Sequence, residues 1–152
     1  MPIEVDQSNK VERTEKDTIL AFANEQCAAL VIPARIKRQA LEHLIERGKP
    51  RKVAYLMIFA AGLFLLLRDY LAQPRLGGER IIIDTEYSGQ EANIRAMLLR
   101  HAQRLGLALS SERIIFAQVG KKSNAHNLAW RVQRGKTVPE YWVTLQDLLG
   151  LL

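Results

Sequence analysis

An unbroken apolar run from Val53 to Leu67 constrains this 152-residue chain more than any other feature. At helical rise its fifteen residues span about 22 Å, short of the roughly 30 Å hydrocarbon layer of a bilayer. The basic residues around it, Arg51, Lys52 and Arg68, would also suit a helix lying at an interface. A run of this length reads better as a buried helix, and no membrane partner is expected. A helix apolar all round must be covered all round. It therefore predicts a central helix with a sheet on one side and helices, or a second copy in a homodimer, on the other. Ala60-Ala61-Gly62 would let a neighbour approach its backbone closely.

The flanking sequence supplies the sheet. Thr18–Ala23 and Ala28–Ile32 read as two short strands joined by a turn at Asn24-Glu25-Gln26, behind a polar leader over residues 1–17. A helix is predicted from Ala34 to about Arg47, with Ile36, Ala40, Leu41, Leu44 and Ile45 inward and Arg35, Lys37 and Arg38 on other faces. Pro74 and Gly77-Gly78 mark a linker. Two strand-to-helix units follow: Arg80-Ile-Ile-Ile-Asp84-Thr-Glu86-Tyr-Ser88-Gly-Gln-Glu91, and Arg113-Ile-Ile-Phe-Ala-Gln-Val-Gly120-Lys-Lys122-Ser-Asn-Ala-His126. Each is an apolar strand ending in polar residues where a helix begins, which is how α/β proteins build sites at the carboxyl ends of their strands. Residues 18–152 are read as one α/β domain.

Asp84 and Glu86, two apart in extended chain, project from one face. Side-by-side carboxylates repel unless a proton or cation stands between them, so the pair predicts a divalent metal such as Mg2+ or Mn2+. The alternative is that Asp84 caps the turn and Glu86 is solvated. Ser88 and Glu91 have capping-box spacing and are assigned to structure. His101 falls near the apolar stripe of its helix and reads as a core histidine.

Lys121, Lys122 and Ser123 precede a helix start and suggest a phosphate-contacting turn. The Walker spacing is missing, because Ile115 stands where its first glycine would be. His126 lies in the first turn of that helix, placed either to face a substrate as general acid or base or to pack on the sheet. Trp130, between Ala129 and Val132, reads as a core residue.

Charge points to an anionic partner. Residues 1–20 hold three basic and five acidic side chains, so the remainder carries +8 of the net +6. Arg131 and Arg134 join the lysines as candidate nucleic-acid contacts, since displaced phosphate counterions supply a sequence-independent attraction. The alternative is a solvated basic surface. The single Cys27 excludes an intramolecular disulfide and a cysteine-rich zinc site, and its apolar surroundings predict a buried, inert thiol. Met1-Pro-Ile-Glu-Val-Asp has acidic residues where a secretory signal carries basic ones, so a cytoplasmic location is expected.

In element order the chain resembles a branch of the ribonuclease H-like superfamily made up of prokaryotic proteins. Those proteins begin with a strand followed by Asp-Glu-Ser, carry an Asp at the end of a later strand, and finish with a Lys-Ser element leading into a helix that bears Gln-Leu-Ala-Asp. The counterparts here are Asn24-Glu25-Gln26, Asp84, Lys122-Ser123 and Asn127-Leu-Ala-Trp130. The resemblance covers residues 18–135. It implies a short mixed sheet, with an antiparallel hairpin and parallel strands, flanked by helices. It also implies acidic residues from separate strands and the last helix holding two Mg2+ or Mn2+ ions for phosphodiester cleavage. Asn24 replaces the first acid and Trp130 the last. Only two opening strands are evident where the relatives have three, so either Ile3–Val5 supplies the third or the sheet is reduced.

These readings converge on a nucleic-acid-binding protein with a metal-dependent nuclease-like site. Asp84, Glu86 and Asn24 are expected metal ligands, and Glu25 and His126 catalytic groups. Lys121, Lys122, Ser123, Arg131 and Arg134 are expected on the nucleic acid. The alternatives are an inactive nucleic-acid-binding protein on the same scaffold, or an oligomeric module joined through Val53–Leu67 and the tail Leu145–Leu152.

Overall fold

The computed structural model describes residues 2–73 and 79–152, and the linker expected at Pro74 and Gly77-Gly78 lies outside them. The strands are β1 (Ile3–Ser8), β2 (Thr18–Ala23), β3 (Cys27–Ile32), β4 (Ile81–Asp84), β5 (Ile114–Ala117) and β6 (Tyr141–Trp142). The helices are α1 (Ala34–Glu46), α2 (Arg51–Leu71), α3 (Glu91–Arg104), α4 (Asn124–Gln133) and α5 (Leu145–Leu149). The strands form one sheet in the order β5-β4-β1-β2-β3-β6. β2 runs antiparallel between β1 and β3, whereas β4 is parallel to β1, β5 to β4 and β6 to β3. The α/β class and the mixed sheet flanked by helices are therefore as expected.

The expected leader is the main departure. Ile3–Ser8, inside it, is an interior strand of the sheet, paired with β2 on one side and β4 on the other. Alternation along the strands divides the sheet's two faces. Ile3, Val5, Leu20, Phe22, Leu30, Ile32, Ile81 and Ile83 join the large core built on α2. Ile19, Ala21, Ala29 and Val31 point the other way and pack on Leu128, Ala129 and Val132 of α4.

Helix α2 has 21 residues, so the length argument against a membrane span does not hold; at about 31 Å it is long enough. Burial decides instead, because 72% of its apolar window is enclosed by the chain's own sheet and helices. The helices α1, α3 and α5 pack against it, and Arg95 of α3 also reaches the Ile114 carbonyl of β5. The tail residue Leu148 is fully buried in the same core.

Two polar details also differ from expectation. Lys37 is only 1% exposed, with Nζ donating to the Arg13 carbonyl at 2.7 Å and to Thr18 Oγ1 at 2.8 Å. Burial pulls its pKa down to about 8, and its hydrogen bonds tie the β1–β2 connection to α1. Cys27 is exposed, because it opens β3 at the sheet's edge before the buried run begins.

At Gly62, α2 approaches the sheet closely. A Cβ there would stand 2.8 Å from Ile32 Cδ1 and 2.9 Å from Leu20 Cδ1. Both contacts are ends of flexible side chains, so Gly62→Ala should stay within about 1 kcal/mol of the parent, its helix propensity offsetting the repacking. Gly62→Leu has no such room and should lower the unfolding free energy by about 1–3 kcal/mol. Urea denaturation measures both, and an undiminished Gly62→Leu protein would refute this account of the contact.

Candidate metal centre

Strand register assembles the site. β1 and β4 are parallel with Val5 opposite Ile83. Both of these face α2, so the next residues, Asp6 and Asp84, emerge level with each other on the opposite face. Beyond Asp84 the chain stays extended, with the Thr85 N–H donating to the Ala117 carbonyl at 3.0 Å. This carries Glu86 to the same place. One carboxylate oxygen from each of Asp6, Asp84 and Glu86 can be chosen so that all lie within 4.8 Å of one another.

Each carboxylate is held. Asp6 is 5% exposed, and its Oδ1 accepts from the Gln7 N–H at 2.8 Å. Its Oδ2 lies 2.9 Å from His126 Nδ1. Asp84 Oδ1 accepts from the Val119 N–H at 2.8 Å, so the turn-capping and cluster roles expected as alternatives for Asp84 coexist. Glu86 Oε2 has Lys10 Nζ at 3.7 Å, and the same ammonium donates to the Glu86 carbonyl at 3.2 Å.

His126 reaches Asp6 because the β5–α4 connection is tight. Gly120 turns the chain at φ +83°, a left-handed conformation that favours glycine. Ser123 then caps α4, its Oγ accepting from the His126 N–H at 3.0 Å. Ser123, expected on a nucleic acid, thus has a structural role. The capping box expected at Ser88 and Glu91 does not form. Gln90 is the residue before α3, and Glu91 accepts instead from the Gly89 N–H at 3.3 Å.

The cluster opens into a cleft of about 300 Å³ whose lining includes the three carboxylates, Gly120, Lys121 and His126. Burial, reinforced by the neighbouring Asp84 carboxylate, pushes the Glu86 pKa up to about 7. Burial also raises Asp6, against the opposing effect of its hydrogen bond to His126. Three crowded, partly desolvated carboxylates with one nearby ammonium match the hard oxygen donors that Mg2+ and Mn2+ take.

The remaining predicted residues separate into two groups. Asn24 and Glu25 stand at the other end of the sheet, because β2 runs antiparallel to β1 and places Ala21, not Asn24, beside Asp6. Asn24 Nδ2 donates to the Pro2 carbonyl and Glu25 is exposed in the turn. Lys121 borders the cleft, while Lys122, Arg131 and Arg134 are exposed around α4. Trp130, expected in the core, is 42% exposed. His101 is buried against Phe64, and its Nδ1 has no hydrogen-bond partner among the described residues. Asp6 was the residue that sequence reasoning missed. The available signal was Ile3 and Val5 alternating into Asp6, inside what looked like a polar leader. No family model, curated protein or solved structure matches the chain.

The raised Glu86 pKa has a definite sign. Between about 4.5 and 7 the folded state holds a proton that the unfolded state has released, so stability is fullest below that window and declines as pH rises through it. In chelator, the melting temperature of the wild-type protein should fall across this window, and Glu86→Gln should flatten the slope. An unchanged slope in Glu86→Gln would remove Glu86 from the coupled cluster.

Proposed function

We propose that the protein binds nucleic acid and cleaves its phosphodiester backbone with Mg2+ or Mn2+ held by Asp6, Asp84 and Glu86. The observation that carries this reading is the convergence of three carboxylates from two adjacent strand ends at the floor of an open cleft. The superfamily resemblance gains support on two counts. β1, β2 and β3 make the three-stranded opening meander of those relatives. Val5-Asp6-Gln7-Ser8 then takes the place of a first strand running into Asp-Glu-Ser, a place that Asn24 filled poorly.

The side chains divide the work. A bound ion would polarise the phosphodiester and lower the pKa of an attacking water. Asp6 fixes the His126 ring through Nδ1, leaving Nε2 to exchange a proton in the cleft. Helix α4 thereby contributes a histidine where proteins of that superfamily would contribute an acid. Lys121 at the cleft and Lys122 beside it supply positive charge for the backbone on either side of the scissile phosphate. Proton competition at Glu86 makes metal binding strengthen as pH rises through about 7.

Manganese should raise the melting temperature of the wild-type protein and support cleavage of branched or single-stranded substrates. Asp84→Asn keeps an acceptor for the Val119 N–H, so it tests the ion and not the turn. We expect it to abolish the manganese-induced shift and lower cleavage about 100-fold or more, as should Asp6→Asn. His126→Ala should cost about 100-fold or more, the usual range for loss of a general acid or base. Full cleavage by Asp84→Asn would eliminate the proposal.

A further inference from the structure

We infer that Trp130 is a stacking platform for an unpaired nucleobase, which makes a single strand, and not a continuous duplex, the preferred occupant of the cleft. This rests on the nucleic-acid reading above but not on cleavage. Helix α4 buries Ala125, Leu128, Ala129 and Val132 and leaves its remaining positions outside. His126 and Trp130 are four residues apart and therefore share a flank, separated by about 6 Å along the axis. An indole with 42% of its surface open stands outside both apolar cores, one turn from the residue that touches Asp6.

Its surroundings specify the ligand. The Arg134 guanidinium lies 5.3 Å and the Lys136 ammonium 4.9 Å from the indole ring centroid. From Gln118 to Lys136 the chain holds five lysines and arginines and no acid, so all but one unit of the net +6 is carried by this segment. An exposed indole with two mobile surface cations over its ring can take a base by stacking as those side chains swing onto the flanking phosphates. In a continuous duplex the base faces are already stacked on one another. A free single strand offers them without that cost.

The chain has two tryptophans, so Trp142→Phe leaves Trp130 as the only indole reporter. In that background, single-stranded oligonucleotides should quench the fluorescence, and a duplex of the same sequence should quench it far less. DNA and RNA versions identify which polymer is taken. Trp130→Ala should weaken single-strand binding about tenfold while leaving duplex binding near its starting value, and Trp130→Phe should restore most of the loss. Quenching without manganese-dependent cleavage supports the platform and rejects the nuclease. Cleavage with no quenching rejects the platform and leaves the nuclease standing. Equal losses on single strand and duplex, or a response to anionic phospholipid vesicles in place of oligonucleotide, would also overturn the inference.

Discussion

Everything at the cleft depends on the register of β1 against β4. Ile3, Val5, Ile81 and Ile83 are locked into the core against α2, and that fixes Asp6 and Asp84 side by side on the opposite face. Side chains alternate with a period of two, so a slip of one residue would turn Asp6 into the apolar core and Val5 out to solvent. The apolar helix therefore does more than fill volume. By demanding isoleucine and valine at alternate positions on two neighbouring strands, it makes the misregistered sheet far costlier than the observed one. The acid pair inherits that precision from its apolar neighbours on the two strands.

The same arrangement works against stability. Asp6 is nearly inaccessible to solvent and stands beside two further carboxylates, which explains why both it and Glu86 hold protons more tightly than free acids do. The fold tolerates this through the Gln7 and Val119 amides and the His126 ring, with the Lys10 ammonium 3.7 Å from Glu86. These satisfy part of the cluster's capacity to accept hydrogen bonds but leave its negative charge largely unbalanced. A binding role accounts for such a cost better than a structural one does, since apolar residues at these strand ends would pack without it.

Local patterns were legible in the sequence and long-range pairings were not. The spans of β2, α1 and β4 follow from apolar periodicity and from proline and glycine near their boundaries, and the structure reproduces them within a few residues. Asp84 and Glu86 were identifiable because both lie at one strand end, where two-residue spacing settles their common face. Asp6 was not, because its significance depends on β1 lying next to β4, some 78 positions later, and no local pattern encodes that adjacency. Asn24 is misplaced for the related reason that β2 is the second strand of the sheet's opening, and the strand offered at Ile3–Val5, not β2, carries the first acid. Trp130 was misjudged because alanine and valine neighbours suggest burial, whereas its position around the helix axis places it off the buried stripe. Lys37 erred in the other direction, since its buried partners belong to a connection that periodicity does not describe.

The α4 face gives the arrangement its direction. On the α2 side, several helices close over the sheet. On the other side α4 is, among the described residues, the helix that packs on β1, β2 and β3, and Ile82 and Ile115 are part-exposed beyond it. A second helix over β4 and β5 would bury those isoleucines and improve the core, but it would also roof the cleft in which the three carboxylates meet. With that half uncovered, the channel has an acidic floor at Asp6, Asp84 and Glu86 and a basic wall along α4. A polyanion would be repelled by the floor until cations occupied it, while the wall attracted it throughout. Under the proposed function, strand binding and ion binding would favour each other, the first weakened by salt and the second by protons.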